Sequence, residues 1–265
     1  MGHPVSHSLS PVIHNAAFQA LDLDWVFVAL DVPPGAGAGT VSVAALVGLA
    51  GLSVTMPHKE AAATAVHRLS RTAEALAAVN TVVRRGDELV GENTDGAGFI
   101  DALRVDEGLD PAGRRCLVIG AGGAGRAVAR ALGAAGAAEV VVVNRSRERA
   151  EVAAALAGPA GRVGVAAEAG EADLVVNATP LGMAGDASLP LDPAHLGPGQ
   201  LVVDLVYDPA ITPLIDAARA RGAAVANGLG MLIHQAAHAF RLWTGEDPPL
   251  ELMSAAALAE LARRS

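Results

Sequence analysis

The stretch Cys116–Gly136, "CLVIGAGGAGRAVARALGAAG", decides the fold. It begins with a short continuous apolar run, which suits a strand buried on both faces of a parallel sheet. A glycine turn follows, and then an alanine-rich run with the length of a helix. Gly120, Gly122 and Gly125 fall on the positions of a G-x-G-x-x-G turn. Glycines there permit a tight turn and let the backbone approach a pyrophosphate at a helix N-terminus. Alone the pattern is weak, because chains rich in alanine and glycine produce it by chance. Its place after a strand and before a helix gives it meaning.

Downstream the same alternation continues. "EVVVVN" (139–144) reads as a strand, "SRERAEVAAALAG" (146–158) as a helix, and "DLVVNAT" (173–179) and "LVVDLVY" (201–207) as strands. "TPLIDAARARG" (212–222) reads as a helix and "AAVANG" (223–228) as a last short strand. This order predicts an α/β domain over 103–228, with a Rossmann-type doubly wound parallel sheet. An NAD enzyme offers an acid to the ribose 2′-hydroxyl at the end of the second strand. Here Val143 is followed by Asn144, Arg145, Ser146, Arg147 and Arg149. Cationic groups in that place suit a 2′-phosphate, so NADP(H) is the expected cofactor. The competing reading makes Arg147 and Arg149 a solvated helix start.

Upstream, "VIHNAAFQAL" (12–21) has helical spacing, "WVFVALDV" (25–32) is strand-like, and "VSVAALVGLA" (41–50) reads as a helix before a buried strand at "LSVT" (52–55). A helix should start after Pro57, and "AVNTVVRRGDELVGENT" (78–94) reads as a hairpin turning near Arg85-Gly86-Asp87. "GAGFIDALRVDEG" (96–108) continues as a helix into the linker "DPAGRR" (110–115). Two C-terminal helices, over 229–245 and 250–264, should pack back on the first region, because the second sheet already has its helices. The predicted organisation is therefore a domain over 1–102, completed by 229–265, with a mainly parallel sheet of its own.

Composition narrows the function. A net charge of −9 opposes binding to a phosphate backbone, so no nucleic-acid partner is expected. No apolar run is long enough for a membrane span. Cys116 is the only cysteine, which rules out an intrachain disulfide and fits a reducing cytoplasm. His234 and His238 lie four apart on a predicted helix, but no third ligand lies near them in sequence, and no metal is expected.

Four polar stretches remain: "SHSLSP" (6–11), "SVTMPHK" (53–59), "AVNT" (78–81) and "GENTDG" (91–96). They offer the hydroxyls of Ser8, Ser10 and Thr55, the amide of Asn80, the carboxylate of Asp95 and the amine of Lys59. That inventory suits a small polyhydroxylated acid, its carboxylate on the serines and its hydroxyls on the rest. Lys59 is the only lysine among 19 basic residues. A lysine amine can be tuned to exchange its proton, whereas an arginine stays charged. Composition alone leaves two readings open, a titratable catalytic amine and an ordinary surface lysine.

Taken together, "GHPVSHSLSPVIHN" (2–15), "SVTMPHK", "AVNT", "GENTDG", "GAGGAGRA" (120–127), "NRS" (144–146) with Arg149, "NATPLGM" (177–183), "DLVYDPAITPL" (204–214) and "NGLGMLIHQAAHAF" (227–240) closely resemble the shikimate dehydrogenase family. They occur in family order and span nearly the whole chain. The resemblance implies reversible NADPH-dependent reduction of 3-dehydroshikimate to shikimate in aromatic amino-acid biosynthesis, by a monomer or homodimer. It implies that Ser8 and Ser10 bind the substrate carboxylate, and that Thr55, Lys59, Asn80, Asp95 and Gln235 contact its hydroxyls, with Lys59 and Asp95 catalytic. Tyr207 is implied at the junction of substrate and nicotinamide. Gly120, Ala121, Gly122, Gly123 and Ala124 are implied for the pyrophosphate, Asn144, Arg145 and Arg149 for the adenosine phosphate, and Leu205 and Gly228 for the nicotinamide. Rival readings are an NAD-dependent quinate/shikimate dehydrogenase and a non-catalytic ligand-sensing relative. The sequence departs from the family at Ser53, where asparagine is usual, and at its start, where a strand usually leads into the serine loop. Without that strand, the first sheet should show unpaired edges and bare apolar faces.

Overall fold

The computed structural model describes residues 1–264. The chain divides into two compact units, Met1–Thr94 with Ile233–Ser265, and Asp95–Leu232. The first boundary falls at Thr94/Asp95 rather than at 102/103, and the second at Leu232/Ile233 rather than at 228/229. The first shift has a packing cause. A side chain on Gly96 would meet the Ala127 carbonyl at 2.9 Å, so the helix that begins at Asp95 lies against the helix after the glycine turn.

In the first unit, helix α1 (Ser10–Ala20) follows the serine loop and takes Pro11 in its first turn, where the missing N–H costs nothing. Helix α2 (Gly37–Leu46), strand β1 (Gly51–Ser53), helix α3 (Lys59–Ala65) and strand β2 (Arg68–Leu69) follow. Helix α4 (Arg71–Leu76) is capped by the Ser70 side chain, which accepts from the Ala73 N–H. Strands β3 (Thr81–Arg85) and β4 (Glu88–Glu92) form the expected hairpin, with Gly86 at φ +62° in the turn.

The sheet order is β1-β3-β4-β2. β1 pairs with β3 and β3 with β4 antiparallel, and only β2–β4 is parallel. The expected mainly parallel sheet is thus mixed. The hairpin forces one antiparallel pair, and β1 docks on the free edge of β3 in the same sense. The segment 25–32, expected as a strand, is extended but unpaired except for one parallel bridge, Gly2 to Asp31. Met1 and Gly2 are wedged between that segment and β1. Gly2 N–H donates to the Leu30 carbonyl at 3.2 Å and its carbonyl accepts from Val32 N–H at 3.0 Å. On the other side the Met1 amine donates to the Ser53 carbonyl at 2.6 Å, and the Met1 carbonyl accepts from Thr55 N–H at 3.0 Å. Val26 and Val28 on the neighbouring segment are 77% and 56% exposed.

The second unit starts with helix α5 (Asp95–Asp101), whose continuation over Ala102–Asp106 is a π-helical turn. Strand β5 (Arg115–Ile119), helix α6 (Gly123–Ala134), strand β6 (Glu139–Val143) and helix α7 (Arg147–Leu156) form the first β-α-β-α run. Strands β7 (Gly161–Val163), β8 (Leu174–Asn177) and β9 (Leu201–Asp204), helix α8 (Pro213–Ala220) and strand β10 (Ala224–Asn227) complete it. The sheet order is β10-β9-β8-β5-β6-β7, and every pair is parallel. This is the doubly wound order of dinucleotide-binding sheets, with its switch point between β5 and β8. Two apolar layers cover the faces, one around Val118, Val128 and Val140, the other around Leu117, Val175 and Leu214.

Helix α9 (Leu229–Thr244) returns to the first unit, and helix α10 (Leu250–Arg264) packs against α1, as expected of the C-terminal helices. His14 on α1 is buried, its ring stacked on Phe27 at 4.7 Å and close to Trp243 at 5.1 Å. No helix among the described residues is long and apolar enough to cross a membrane.

Candidate functional site

In the second unit the glycine turn leaves β5 at the switch point, where open parallel sheets bind their ligands. Each glycine has its own reason. Gly120 adopts φ +108°, which side chains rarely tolerate, and a Cβ there would press on the Ala178 carbonyl at 2.9 Å. A Cβ on Gly125 would lie 2.0 Å from the Gly120 carbonyl, so helix and turn can close only around glycine. Gly122 is exposed, caps α6, and has nothing within 4 Å of where a Cβ would sit. The turn is therefore tight at its two ends and open in the middle, the shape a pyrophosphate needs. Ala121 and Gly123 flank that opening, with Ala124 one residue into α6.

Asn144 follows β6. Its Oδ1 accepts from Ala121 N–H at 3.3 Å and its Nδ2 donates to the Ser146 carbonyl at 3.0 Å, tying the glycine turn to the next loop. Ser146 caps α7 by accepting from Arg149 N–H at 3.3 Å. Arg147 pairs with Glu151 at 2.9 Å. Arg145 and Arg149 are exposed, and neither makes an ion pair among the described residues. After β6 the chain reads Asn144, Arg145, Ser146 and Arg147, with no acid before Glu148.

Sequence reasoning assigned no role to the polar lock at the ends of β8 and β9. Buried Asp204 accepts from Asn177 Nδ2 at 2.9 Å, Thr212 Oγ1 at 2.7 Å and Val206 N–H at 3.1 Å. Burial pushes its carboxyl above the usual carboxylate range, against the pull of these hydrogen bonds. An aspartate inside an apolar strand was the available signal. The lock fixes the loop that carries Leu205 and Tyr207. Gly228 reaches the same place, since a Cβ on it would lie 2.0 Å from the Leu205 carbonyl. Leu205 and Gly228 are thus brought together. Asp95 is buried at the start of α5, and Tyr207 is half-buried after β9.

In the first unit the hairpin and α9 assemble a polar cluster. Asn80, buried at the entry to β3, donates from Nδ2 to Thr94 Oγ1 at 2.9 Å and to Gln235 Oε1 at 3.4 Å. Its Oδ1 accepts from Thr94 N–H at 2.8 Å and Thr81 Oγ1 at 2.9 Å. Asn80 and Gln235 were expected, and Thr94 was not, though "GENTDG" contained it. Lys59 opens α3, and its carbonyl accepts from Val79 N–H at 2.9 Å, which ties the lysine's backbone to the strand that follows. Ser10 starts α1, and its N–H donates to Ser8 Oγ at 3.2 Å, so the two serines share one loop. Thr55 is exposed on the loop between β1 and α3.

This geometry meets relatives of known type. Residues 1–82 match the family model described as the shikimate dehydrogenase substrate binding domain, and residues 228–258 match the shikimate 5′-dehydrogenase C-terminal domain. Residues 115–207 match a model described as NADP oxidoreductase, coenzyme F420-dependent. Shikimate dehydrogenase (NADP(+)) of Citrifermentans bemidjiense is 47% identical, over 98% of this chain and 94% of its own. The crystal structure of shikimate 5-dehydrogenase from Thermus thermophilus in complex with NADP(H) and shikimate has a TM-score of 0.91 at 41% identity, over 97% of each chain. Quinate dehydrogenase from Corynebacterium glutamicum in complex with NAD has a TM-score of 0.87 at 34% identity, over 97% of this chain and 96% of its own.

Proposed function

The chain belongs to the shikimate dehydrogenase family, and from that membership we propose that it is an NADP-dependent oxidoreductase interconverting 3-dehydroshikimate and shikimate, a step of aromatic amino-acid biosynthesis. The observation that carries this reading is the donor inventory: the Thermus thermophilus relative is in complex with both NADP(H) and shikimate, and this chain holds a group suited to each part of both molecules.

Gly120 to Ala124 would hold the pyrophosphate, with the open edge at Gly122 admitting its oxygens and the N-terminus of α6 favouring its charge. Arg145 and Arg149 would pair with the 2′-phosphate, and Asn144 would keep the turn in register with them. When bound, NADP(H) supplies the hydride donor or acceptor. The chain's own groups do the rest. Ser8 and Ser10 hold the substrate carboxylate, and Thr55, Asn80 and Gln235 hold its hydroxyls. Oxidation of the alcohol sends a hydride from carbon to the nicotinamide and a proton from oxygen to a base; reduction returns both. Lys59 is assigned as that proton carrier, and Asp95 accepts a hydrogen bond from the same hydroxyl. Tyr207, Leu205 and Gly228 are assigned to the nicotinamide end. The units 1–102 with 229–265 and 103–228 were read as substrate and cofactor domains, and those roles are assigned to the two compact units at their observed boundaries. The setting is the cytoplasm, and the state a monomer or homodimer.

An NAD-dependent quinate dehydrogenase is the nearest alternative, since such an enzyme shares the fold. The arginines and the missing acid after β6 favour NADP. Turnover assays with shikimate and quinate, each with NADP and NAD, test the reading. Shikimate oxidation with NADP should give the highest kcat/KM. No turnover of either substrate with either cofactor would leave a non-catalytic ligand binder.

A further inference from the structure

We infer that Gly2 is a positioning residue for the Thr55 hydroxyl, an inference that rests on the reading of Thr55 as a substrate contact. Thr55 is exposed on the loop between β1 and α3, and its methyl lies over Gly2. The constraint comes from the chain terminus. A Cβ built on Gly2 would lie 2.3 Å from Thr55 Cγ2, far inside van der Waals contact, and 3.2 Å from the Met56 carbonyl. The Thr55 methyl therefore occupies the space that a side chain at position 2 would need.

Gly2 cannot step aside. It is bonded on one flank to Leu30 and Val32, while its neighbours Met1 and His3 are bonded to Thr55 and Met56 on the other. Its backbone is not left-handed, so space and not dihedral angle is what demands glycine here. Threonine is stiff about χ1, and its methyl and hydroxyl turn together. A methyl at position 2 would be relieved by rotating Thr55, and that rotation carries Oγ1 away from its present direction. The bare edge of Gly2 thus leaves room for the Thr55 rotamer present, and the hydroxyl is aimed before substrate arrives.

The pair can be tested by rescue. Gly2→Ala should raise the KM for shikimate by roughly 3–10-fold, the size of one misdirected hydrogen bond, with the KM for NADP unchanged. Thr55→Ser deletes the methyl and keeps the hydroxyl, so Gly2→Ala with Thr55→Ser should return to the KM of Thr55→Ser alone. Tm is read for all four proteins as a substrate-free measure of the same contact. A Gly2→Ala enzyme with an ordinary KM overturns the proposal, and so does a double variant no better than Gly2→Ala. Coupling in Tm without coupling in KM also overturns it, because the contact would then be structural only. If Gly2→Ala is too unstable to assay, the double variant decides: recovery of soluble, active enzyme supports the contact, and continued misfolding overturns it. Absence of shikimate turnover in the unaltered chain overturns the enzymatic reading instead, and shows before any variant is made.

Discussion

The six strands of the Asp95–Leu232 unit are all parallel and covered on both faces, whereas the four strands of the Met1–Thr94 unit form a mixed sheet with Val26 and Val28 bare beside it. The residues proposed for the site follow the same division. In the parallel unit the pyrophosphate cradle is backbone, a turn of glycines at a helix start, with the side chains of Asp95, Asn144, Arg145, Arg149 and Tyr207 around it. In the mixed unit they are side chains on short loops, namely Ser8, Ser10, Thr55 and Lys59, with Asn80 at a strand entry. A backbone cradle keeps its shape when most of its side chains change, so its binding should be hard to destroy by one substitution. A cluster of loop side chains should fail one residue at a time.

The largest effect that would break this contrast lies at Lys59. Lys59→Arg keeps a positive charge and much of the reach, but the guanidinium stays protonated. General acid–base catalysis typically contributes about 10²–10⁴-fold, and kcat should fall by an amount in that range. NADP affinity, measured by fluorescence titration, should stay within about twofold if cofactor binding rests on the other unit's backbone, a change worth well under 1 kcal/mol. Near-normal turnover would return Lys59 to the role of an ordinary surface lysine.

The contrast also explains what could be read without coordinates. Buried parallel strands are continuous apolar runs, so "CLVIG", "EVVVVN" and "LVVDLVY" announced themselves, and the glycine turn fixed their order. β7, whose three residues are only half-buried, left no such trace. In the first unit β2 has two residues and α4 has six, too few for a periodic signal. The direction of β1 could not be read either, since apolar alternation looks alike in parallel and antiparallel pairs. The residues proposed for the site were legible chiefly as motifs. Thr94 and Gly2 were passed over because their parts depend on contacts distant in sequence, Thr94 with Gln235 and Gly2 with Thr55.

A smaller effect sharpens the cofactor side. Arg145→Asp should reverse the attraction for a 2′-phosphate while sparing the turn proposed for the pyrophosphate. A hydrogen bond to a charged group is worth about 1.5–3 kcal/mol, so the NADP-over-NAD ratio of kcat/KM should fall by roughly 10–150-fold. The variant's kcat with NAD should stay near that of the parent. An unchanged ratio would move the phosphate site away from Arg145, and a loss of activity with both cofactors would show that the loop, and not its charge, had been damaged.

The smallest effect concerns Met1 and Gly2, wedged between the 25–32 segment and β1. The Met1 amine is buried against the Ser53 carbonyl, and burial lowers its pKa from 8.0 to about 6. The folded state therefore resists the charged form. Above pH 8 the amine is neutral in both states and the wedge carries no penalty. Between pH 8 and about 6 the unfolded chain binds a proton that the folded chain refuses, so stability falls as pH falls, and below about 6 the loss is complete. Two pH units set an upper limit of about 2.7 kcal/mol, and water at the chain terminus should reduce this to about 1–2 kcal/mol. His14 behaves likewise at lower pH, because burial takes its pKa from 6.5 to about 3, and it supplies an internal reference. Denaturant midpoints measured from pH 8.5 to 4 should show both windows in the 265-residue chain. Nα-acetylation removes the charge and should flatten the upper window while leaving the His14 window in place. Adding about seven strand-forming residues before Met1, near the usual length of a strand, should flatten the same window and raise Tm, since the added backbone could pair along the bare 25–30 segment. An upper window that survives acetylation would assign the pH dependence to another group, and a Tm that does not rise on extension would mean that the added residues do not pair along 25–30.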